Sequence, residues 1–176
     1  MDPEAATLAV TRRFLSAYGP ATCHDLARWW GGCGIVTARQ WIAALGEKVS
    51  SVDLDGVQAW MLAGDAREAR ELSPQRSVRL IPAFDQYVIG TSRHAEHLLP
   101  GGLRSRVYRP QGWISPVLLV NGFMGGVWRH DIKGSRVEVV IEPFVTVPGW
   151  ARSAAAQEAD RLAMFLGGNL HLSWKD

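Results

Sequence analysis

The sequence predicts an α+β protein in two parts: helices leading into a β-hairpin, then a small antiparallel β-rich domain closed by a helix and a strand. Three observations carry this. Three amphipathic helical stretches lie in the first 46 residues, separated by glycines. Asp55-Gly56 and Asn121-Gly122 each sit between apolar runs, the strongest short hairpin signal because both turn positions tolerate positive φ. Residues 113–144 read as a three-stranded antiparallel meander whose register follows from its own side chains.

In chain order, residues 4–18 place Leu8, Thr11, Phe14/Leu15 and Tyr18 on one helical face, and Gly19-Pro20 ends the run. Thr22 is the expected N-cap of a second helix, 23–30, with Asp25 at N3 and with Leu26 and Trp29 or Trp30 turned inward. Gly31-Gly32 and Gly34 break the chain. Thr37 is the N-cap candidate for a third helix to Gly46, buried along Ala38, Trp41, Ile42 and Leu45, with Arg39, Gln40 and Ala43 outside. Strands 49–54 and 57–62 then flank Asp55-Gly56.

Three short helices and a hairpin are the order of a winged helix, whose third helix can lie in the DNA major groove. Its reading surface is chemically thin here. On the exposed side of the third helix only Thr37, Arg39 and Gln40 could reach bases or phosphates, and Asp53 and Asp55 at the hairpin tip would face phosphates. A scaffold or protein-contact role fits this half better than base reading. A polar helix or linker, 65–72, leads to Ser73-Pro74, where the domain boundary is expected: winged helix 1–72, β-rich domain 73–176.

In the second part, 77–81 is a strand, and Pro82 to Tyr87 reads as a turn. There Phe84 and Tyr87 pack and Asp85 caps; the alternative has Asp85 orienting Arg79 or meeting a ligand. Residues 93–109 form a long Arg-rich connection around Leu98-Leu99-Pro100-Gly101-Gly102. In the meander, Asn121-Gly122 sets Val120 opposite Phe123. Lys133-Gly134 as a second two-residue turn sets Asp131 opposite Arg136, Arg129 opposite Glu138, and Trp128 and His130 opposite Val139 and Val137. Trp128, His130 and Ile132 then point toward a core. Strand 115–120 is apolar on both faces, so the sheet is covered on both sides or curls into a partial barrel, and Gly125-Gly126 marks a bend or close approach. Pro148 opens a helix to Leu166, with Trp150, Ala154, Ala155, Ala159 (or Glu158), Leu162 and Phe165 or Leu166 on its inner side. The final strand, 169–174, joins the central sheet through Leu170, Leu172 and Trp174.

The net charge of +2 conceals a gradient. Residues 1–72 carry seven basic and nine acidic groups, 73–147 nine and five, and the remainder three and three. Sixteen of the nineteen cations are arginine, which suits phosphate and carboxylate alike. No apolar run of 18 residues occurs and two cysteines, Cys23 and Cys33, make no disulfide framework, so no membrane span and a reducing cytoplasm are expected. His94 and His97 flank Glu96 without further ligands, and Cys23, His24 and Cys33 lack a paired Cys-x-x-Cys, so neither a metal nor a cofactor is expected. No phosphate loop, nucleophile elbow or His-Glu-x-x-His is present.

Several blocks together resemble a family. Val78-Arg79-Leu80-Ile81-Pro82-Ala83-Phe84-Asp85-Gln86-Tyr87-Val88-Ile89-Gly90, Val107-Tyr108-Arg109-Pro110, Gly112-Trp113, Val120-Asn121-Gly122 through Gly126-Val127-Trp128-Arg129, and Leu166-Gly167-Gly168 look like the C-terminal part of bacterial winged helix DNA-binding domain proteins. That group is similar to the AlkZ/YcaQ-type DNA glycosylases, which excise alkylated bases and unhook interstrand crosslinks. The step from Ala17-Tyr18-Gly19-Pro20-Ala21-Thr22 into Asp25-Leu26-Ala27-Arg28-Trp29 resembles their middle winged helix.

That family's catalytic signature, Gln-x-Gln or Gln-x-Asp, lies in an N-terminal winged helix with no counterpart in this sequence. None of Gln40, Gln58, Gln75, Gln86, Gln111 or Gln157 is followed two places on by Gln or Asp. The resemblance therefore implies either a C-terminal fragment of an active glycosylase or a short relative that binds without cutting, with no catalytic residue assigned. The expected partner is double-stranded DNA held with little sequence preference. Arg93, Arg104, Arg106, Arg109, Arg129 and Lys133 are the expected phosphate contacts, and Thr37, Arg39 and Gln40 secondary ones. The alternatives are a protein-interaction or regulatory module without DNA, and an intact enzyme using an unrecognised group.

Overall fold

The structure is a computed structural model that describes residues 2–54, 56–90, 96, 98–99 and 101–175. It divides into two compact units, Met1–Pro74 and Gln75–Asp176. The first opens with α1 (Pro3–Tyr18), where Asp2 caps by accepting from the amides of Glu4 and Ala5 at 3.3 and 3.2 Å and Pro3 takes the first turn. A reciprocal capping box between Thr22 and Asp25 starts α2 (Cys23–Trp30), and Gly31 ends it in the left-handed region at φ 74°. α3 spans Ile35–Ala44.

Thr37 does not cap α3. Gly34 does, its carbonyl accepting from Ala38 N at 3.0 Å; an extended glycine satisfies the cap position without a side chain, so the cap lies three residues earlier and leaves Thr37 half-buried in the first turn. Strands β1 (Val49–Leu54) and β2 (Val57–Leu62) pair antiparallel from Val49 opposite Leu62 to Leu54 opposite Val57. Ala21 bridges Trp60 as a third rung, with both backbone bonds at 2.9 Å. α4 (Ala63–Glu71) follows directly and starts ahead of the expected residue 65. Phe14, Leu15, Leu26, Ala38 and Ile42 form the core beneath. Trp30 is half-buried and Trp29 more exposed, its ring 5.2 Å from Phe14.

The second unit is built on one open sheet in the order β3-β4-β5-β6-β7: β3 (Val78–Ile81), β4 (Val117–Val120), β5 (Phe123–Lys133), β6 (Arg136–Pro143) and β7 (Asn169–Trp174). Each neighbouring pair among the first four is antiparallel. β7 runs parallel to β6, so the sheet is mixed rather than wholly antiparallel. The cause is α7 (Gly149–Phe165): about 25 Å of helix carries the chain back to the starting end of β6 before β7 begins. Both faces of β4 are covered, and the sheet does not close into a barrel. Leu118, Trp128, Val137, Val139 and Ile141 pack against α7, while Val117, Leu119 and Met124 pack against Val88 of α5 (Gln86–Gly90), Leu99 and Val107 of α6 (Arg104–Val107). Each fully buried aliphatic side chain contributes about 1.5–3 kcal/mol relative to exposure.

The inner face of α7 is narrower than the pattern predicts. Ala151, Ala155, Ala159 and Ala163 are the buried row, with Trp150, Ala154, Leu162 and Leu166 at its margins. Alanines at four-residue spacing let the helix axis approach the sheet. Phe165, 86% exposed, lies off that row, and Glu158 pairs with Arg79 at 3.5 Å and with Arg161.

Val120 stands opposite Phe123 as expected, with Asn121 at φ 52° and Gly122 at 83°. The β5–β6 register is displaced by two residues from expectation. Lys133 faces Arg136, Asp131 faces Glu138, Arg129 faces Val140, His130 faces Val139 and Trp128 faces Ile141. The turn is Gly134-Ser135, with positive φ at its first central residue alone, the arrangement that a leading glycine provides. A two-residue displacement preserves the faces, so the apolar alternation does not detect it. Trp128 is buried, but His130 and Ile132, the latter 51% exposed, do not enter a core. β4 stops opposite Val127, leaving the far half of β5 paired only with β6, whose valines take the cover of α7.

At Gly125 the β4–β5 register shifts, a bulge. At Gly126 a Cβ would lie 2.7 Å from the Glu142 carbonyl oxygen and 2.9 Å from Pro143 Cα. These backbone contacts require glycine at 126, whereas a Cβ at Gly125 would crowd only the Val120 side chain, at 3.3 Å.

Candidate nucleic-acid interface

A cleft of about 600 Å³ in the second unit gathers Arg106, Arg109 and Arg129 with Trp113, His130 and Glu142 around its wall. Three stretches of chain supply them. Arg106 is on α6 and Arg109 just after it, Arg129 and His130 are on β5, and Glu142 is on β6.

The segment holding Arg106, Arg109 and Trp113 is a closed loop. Tyr108 bridges Ile114, Arg109 N donates to Trp113 O at 2.8 Å, and Ser115 donates from its amide to Val107 O at 2.9 Å and from its hydroxyl to Arg106 O at 3.0 Å. Tyr108 Oη donates to Val88 O at 2.8 Å, tying the loop to α5. Trp128 Nε1 donates to Ile81 O at 2.8 Å, so the cleft's buried indole is satisfied from β3. On the adjoining turn Asp85 caps α5 through Tyr87 N at 2.8 Å and does not engage Arg79; Tyr87 Oη donates to Gly122 O. Phe84 and Tyr87 are both partly exposed.

Glu142 is the cleft's acid. Lys175 bonds it at 2.9 Å and Arg106 at 3.2 Å, and the Lys175 hydrogen bond, with the charges of Lys175, Arg106 and Arg129, holds its carboxyl below the usual range despite partial desolvation. Arg109 and Arg129 form no ion pair among the described residues. The cleft can therefore present guanidinium to an anion.

The other expected contacts do not converge there. Arg104 lies over the Tyr108 ring at 4.4 Å. Lys133, at the far tip of the β5–β6 hairpin, bonds Glu138 at 2.8 Å and approaches Asp131 at 3.9 Å. Arg93, like His94 and His97, lies outside the described residues. In the first unit the three secondary residues diverge. Thr37 is half-buried, Arg39 hydrogen-bonds Cys23, whose thiol burial pushes up and Arg39 partly pulls back, and Gln40 lines a groove between α1 and α3 with Glu4. Cys23 and Cys33 are both free thiols, and no group of three or more metal-ligating side chains occurs among the described residues. No described helix is long and apolar enough to cross a membrane.

Trp113, Phe84, His130 and Glu142 were not among the expected contacts. Trp113 carried a signal, an aromatic four residues from Arg109 across Pro110 and Gly112, whereas the other three reach the cleft region only through the fold.

Comparison with known proteins agrees along the chain. An interstrand DNA cross-link repair glycosylase from Streptomyces sahachiroi is 33% identical over 168 residues, covering 94% of this chain and 44% of the relative. The solved Streptomyces sahachiroi DNA glycosylase AlkZ superposes with a TM-score of 0.86 at 32% identity, over 99% of this chain and 47% of that one. This chain thus spans less than half the length of either relative. The family model for DNA glycosylase AlkZ-like proteins matches residues 1–165, and the chain belongs to that family.

Proposed function

We propose that this chain holds DNA by its sugar-phosphate backbone through the cleft of the second unit, without itself cutting a glycosidic bond. The observation that carries the reading is the convergence of Arg106 and Arg109, from one loop, with Arg129, from β5, at a cleft that holds a single carboxylate. Guanidiniums held by a hydrogen-bonded loop and a strand suit phosphate oxygens, and none of the contacts reads a base edge, so little sequence preference follows. Arg104 and Lys133 contribute at most peripheral contacts, Arg93 is retained as an expected phosphate contact from the sequence alone, and Thr37, Arg39 and Gln40 are secondary ones. The first unit, with the element order of a winged helix, serves as scaffold or protein contact. The setting is the bacterial cytoplasm, where such DNA lies.

The relative is named an interstrand DNA cross-link repair glycosylase, and glycosidic cleavage needs a group that positions water beside the sugar; no Gln-x-Gln or Gln-x-Asp in this sequence supplies it. The test is binding to unrelated duplexes across a salt series. Three phosphate contacts give a slope of about −2.7 in log K against log salt, roughly a 40-fold loss of affinity from 50 to 200 mM. Flat or absent binding refutes the reading. Abasic-site strand breaks in DNA bearing an N-alkylated purine would show that the chain cuts after all.

A further inference from the structure

We propose that the same cleft takes an unpaired nucleotide, its phosphate on Arg106, Arg109 and Arg129 and its base stacked on Trp113; this deepens, and rests on, the phosphate reading above. Trp113 is 50% exposed at the cleft wall, and Phe84, 44% exposed, stands against it with ring centroids 5.1 Å apart at 81°. Two large aromatic rings left in solvent have not been used to build a core. The perpendicular phenyl instead holds the indole in one orientation.

The backbone beneath both rings is unusual. Among the described residues only Phe84, Gln111 and Asn121 are non-glycines with positive φ, at 60°, 61° and 52°. Asn121 belongs to a hairpin turn that requires that geometry. Phe84 and Gln111 do not: one is itself the exposed ring, and the other, followed by Gly112 at φ 76°, shapes the loop that presents Trp113. Such conformations persist where the surroundings hold them, and they cluster at ligand sites. The loop also couples ring to charge, because the Arg109 amide bonds the Trp113 carbonyl at 2.8 Å.

An exposed indole beside guanidiniums matches one nucleotide, with an anionic phosphate and a flat apolar base. In an intact duplex the base faces are covered by their neighbours, and Trp113 would find nothing to stack on. In an extrahelical, gapped or single-stranded nucleotide the face is open, and stacking tolerates any base.

Fluorescence anisotropy with three labelled probes tests this: a thymidine oligonucleotide, an abasic oligomer of equal length, and a duplex with hairpin-closed ends. Trp113→Ala is expected to weaken thymidine-oligonucleotide binding about 10-fold, to leave the abasic oligomer and the closed duplex within about 2-fold, and Trp113→Phe to restore most of the loss. Circular dichroism reports whether each variant keeps its fold. The proposal is overturned if Trp113→Ala leaves thymidine-oligonucleotide affinity unchanged, if it weakens all three probes equally, or if the wild-type chain does not bind that oligonucleotide. The phosphate reading fails separately: Arg109→Ala with Arg129→Ala should weaken all three probes, and no change in any of them refutes that reading whatever Trp113 does.

Discussion

At the tip of the β5–β6 hairpin, Lys133 and Arg136 meet Asp131 and Glu138, with Glu138 taking Lys133 at 2.8 Å and Arg136 at 3.2 Å. At its base, Arg129 is joined by Arg106 and Arg109, and the acid among them, Glu142, is also bonded by Lys175. Both ends are rich in cations. At the tip the cations are near neighbours in sequence of the acids that neutralise them. At the base, two of the three arginines arrive from outside the hairpin and bring no acid with them, so positive charge is left over. Where a cation's partners come from, rather than how many cations a stretch contains, decides whether it can meet a ligand.

The largest expected effect tests this contrast. Replacing Arg106, Arg109 and Arg129 together by alanine should flatten the salt dependence of DNA binding by about 3 units of slope and weaken binding at low salt by roughly 100-fold or more. The tip variant Lys133→Ala with Arg136→Ala should change affinity less than about 2-fold. Equal losses at both ends would erase the distinction.

A smaller effect compares the glycines at each end. Gly126→Ala drives a Cβ into the Glu142 carbonyl and Pro143, backbone that cannot easily give way, and should cost about 1–3 kcal/mol in urea unfolding. Binding should fall too, since Arg129 and Glu142 lie on the strands it pushes apart. Gly134→Ala meets nothing but sits at φ 60°, so about 1 kcal/mol of strain is expected with binding unchanged.

The smallest effect concerns acid. Glu138 is held low chiefly by its hydrogen bond from Lys133, and Glu142 by that from Lys175. Each contributes stability that is present above the ordinary carboxylate range and lost as pH falls through its lowered folded value. Midpoints of unfolding followed from about pH 6 to 3 should therefore decline below about pH 4.5. Glu138→Gln and Glu142→Gln should each remove part of the decline, modestly because both groups are partly solvated.

The longer helices α1, α2 and α7, the hairpin turns at Gly56 and Gly122 and the close approach at Gly126 were legible in the sequence because each rests on residues a few places apart, whereas the short α5 and α6 fell in stretches that read as a turn and an irregular connection. The β5–β6 register was legible only in its parity: alternation says which face a residue takes, and a displacement of two leaves every face unchanged while exchanging every partner. The expected charge pairs were thus replaced by like-charged Asp131 and Glu138 across the strands, reconciled by Lys133 and Arg136. Of the expected phosphate contacts, Arg106, Arg109 and Arg129 meet at one cleft while Lys133 does not.

The sequence by itself determined the order of the longer helices and the strands, the positions of most turns and most apolar faces, since these depend on local periodicity and on backbone freedom at glycine and asparagine. Tertiary structure alone decided that β7 runs parallel to β6, that α7 covers Val139 and not His130, and that Trp113 stands by Arg109 at a cleft shared with Arg129. Those outcomes depend on which distant segments meet, and on how each buried surface and each charge is satisfied once they do.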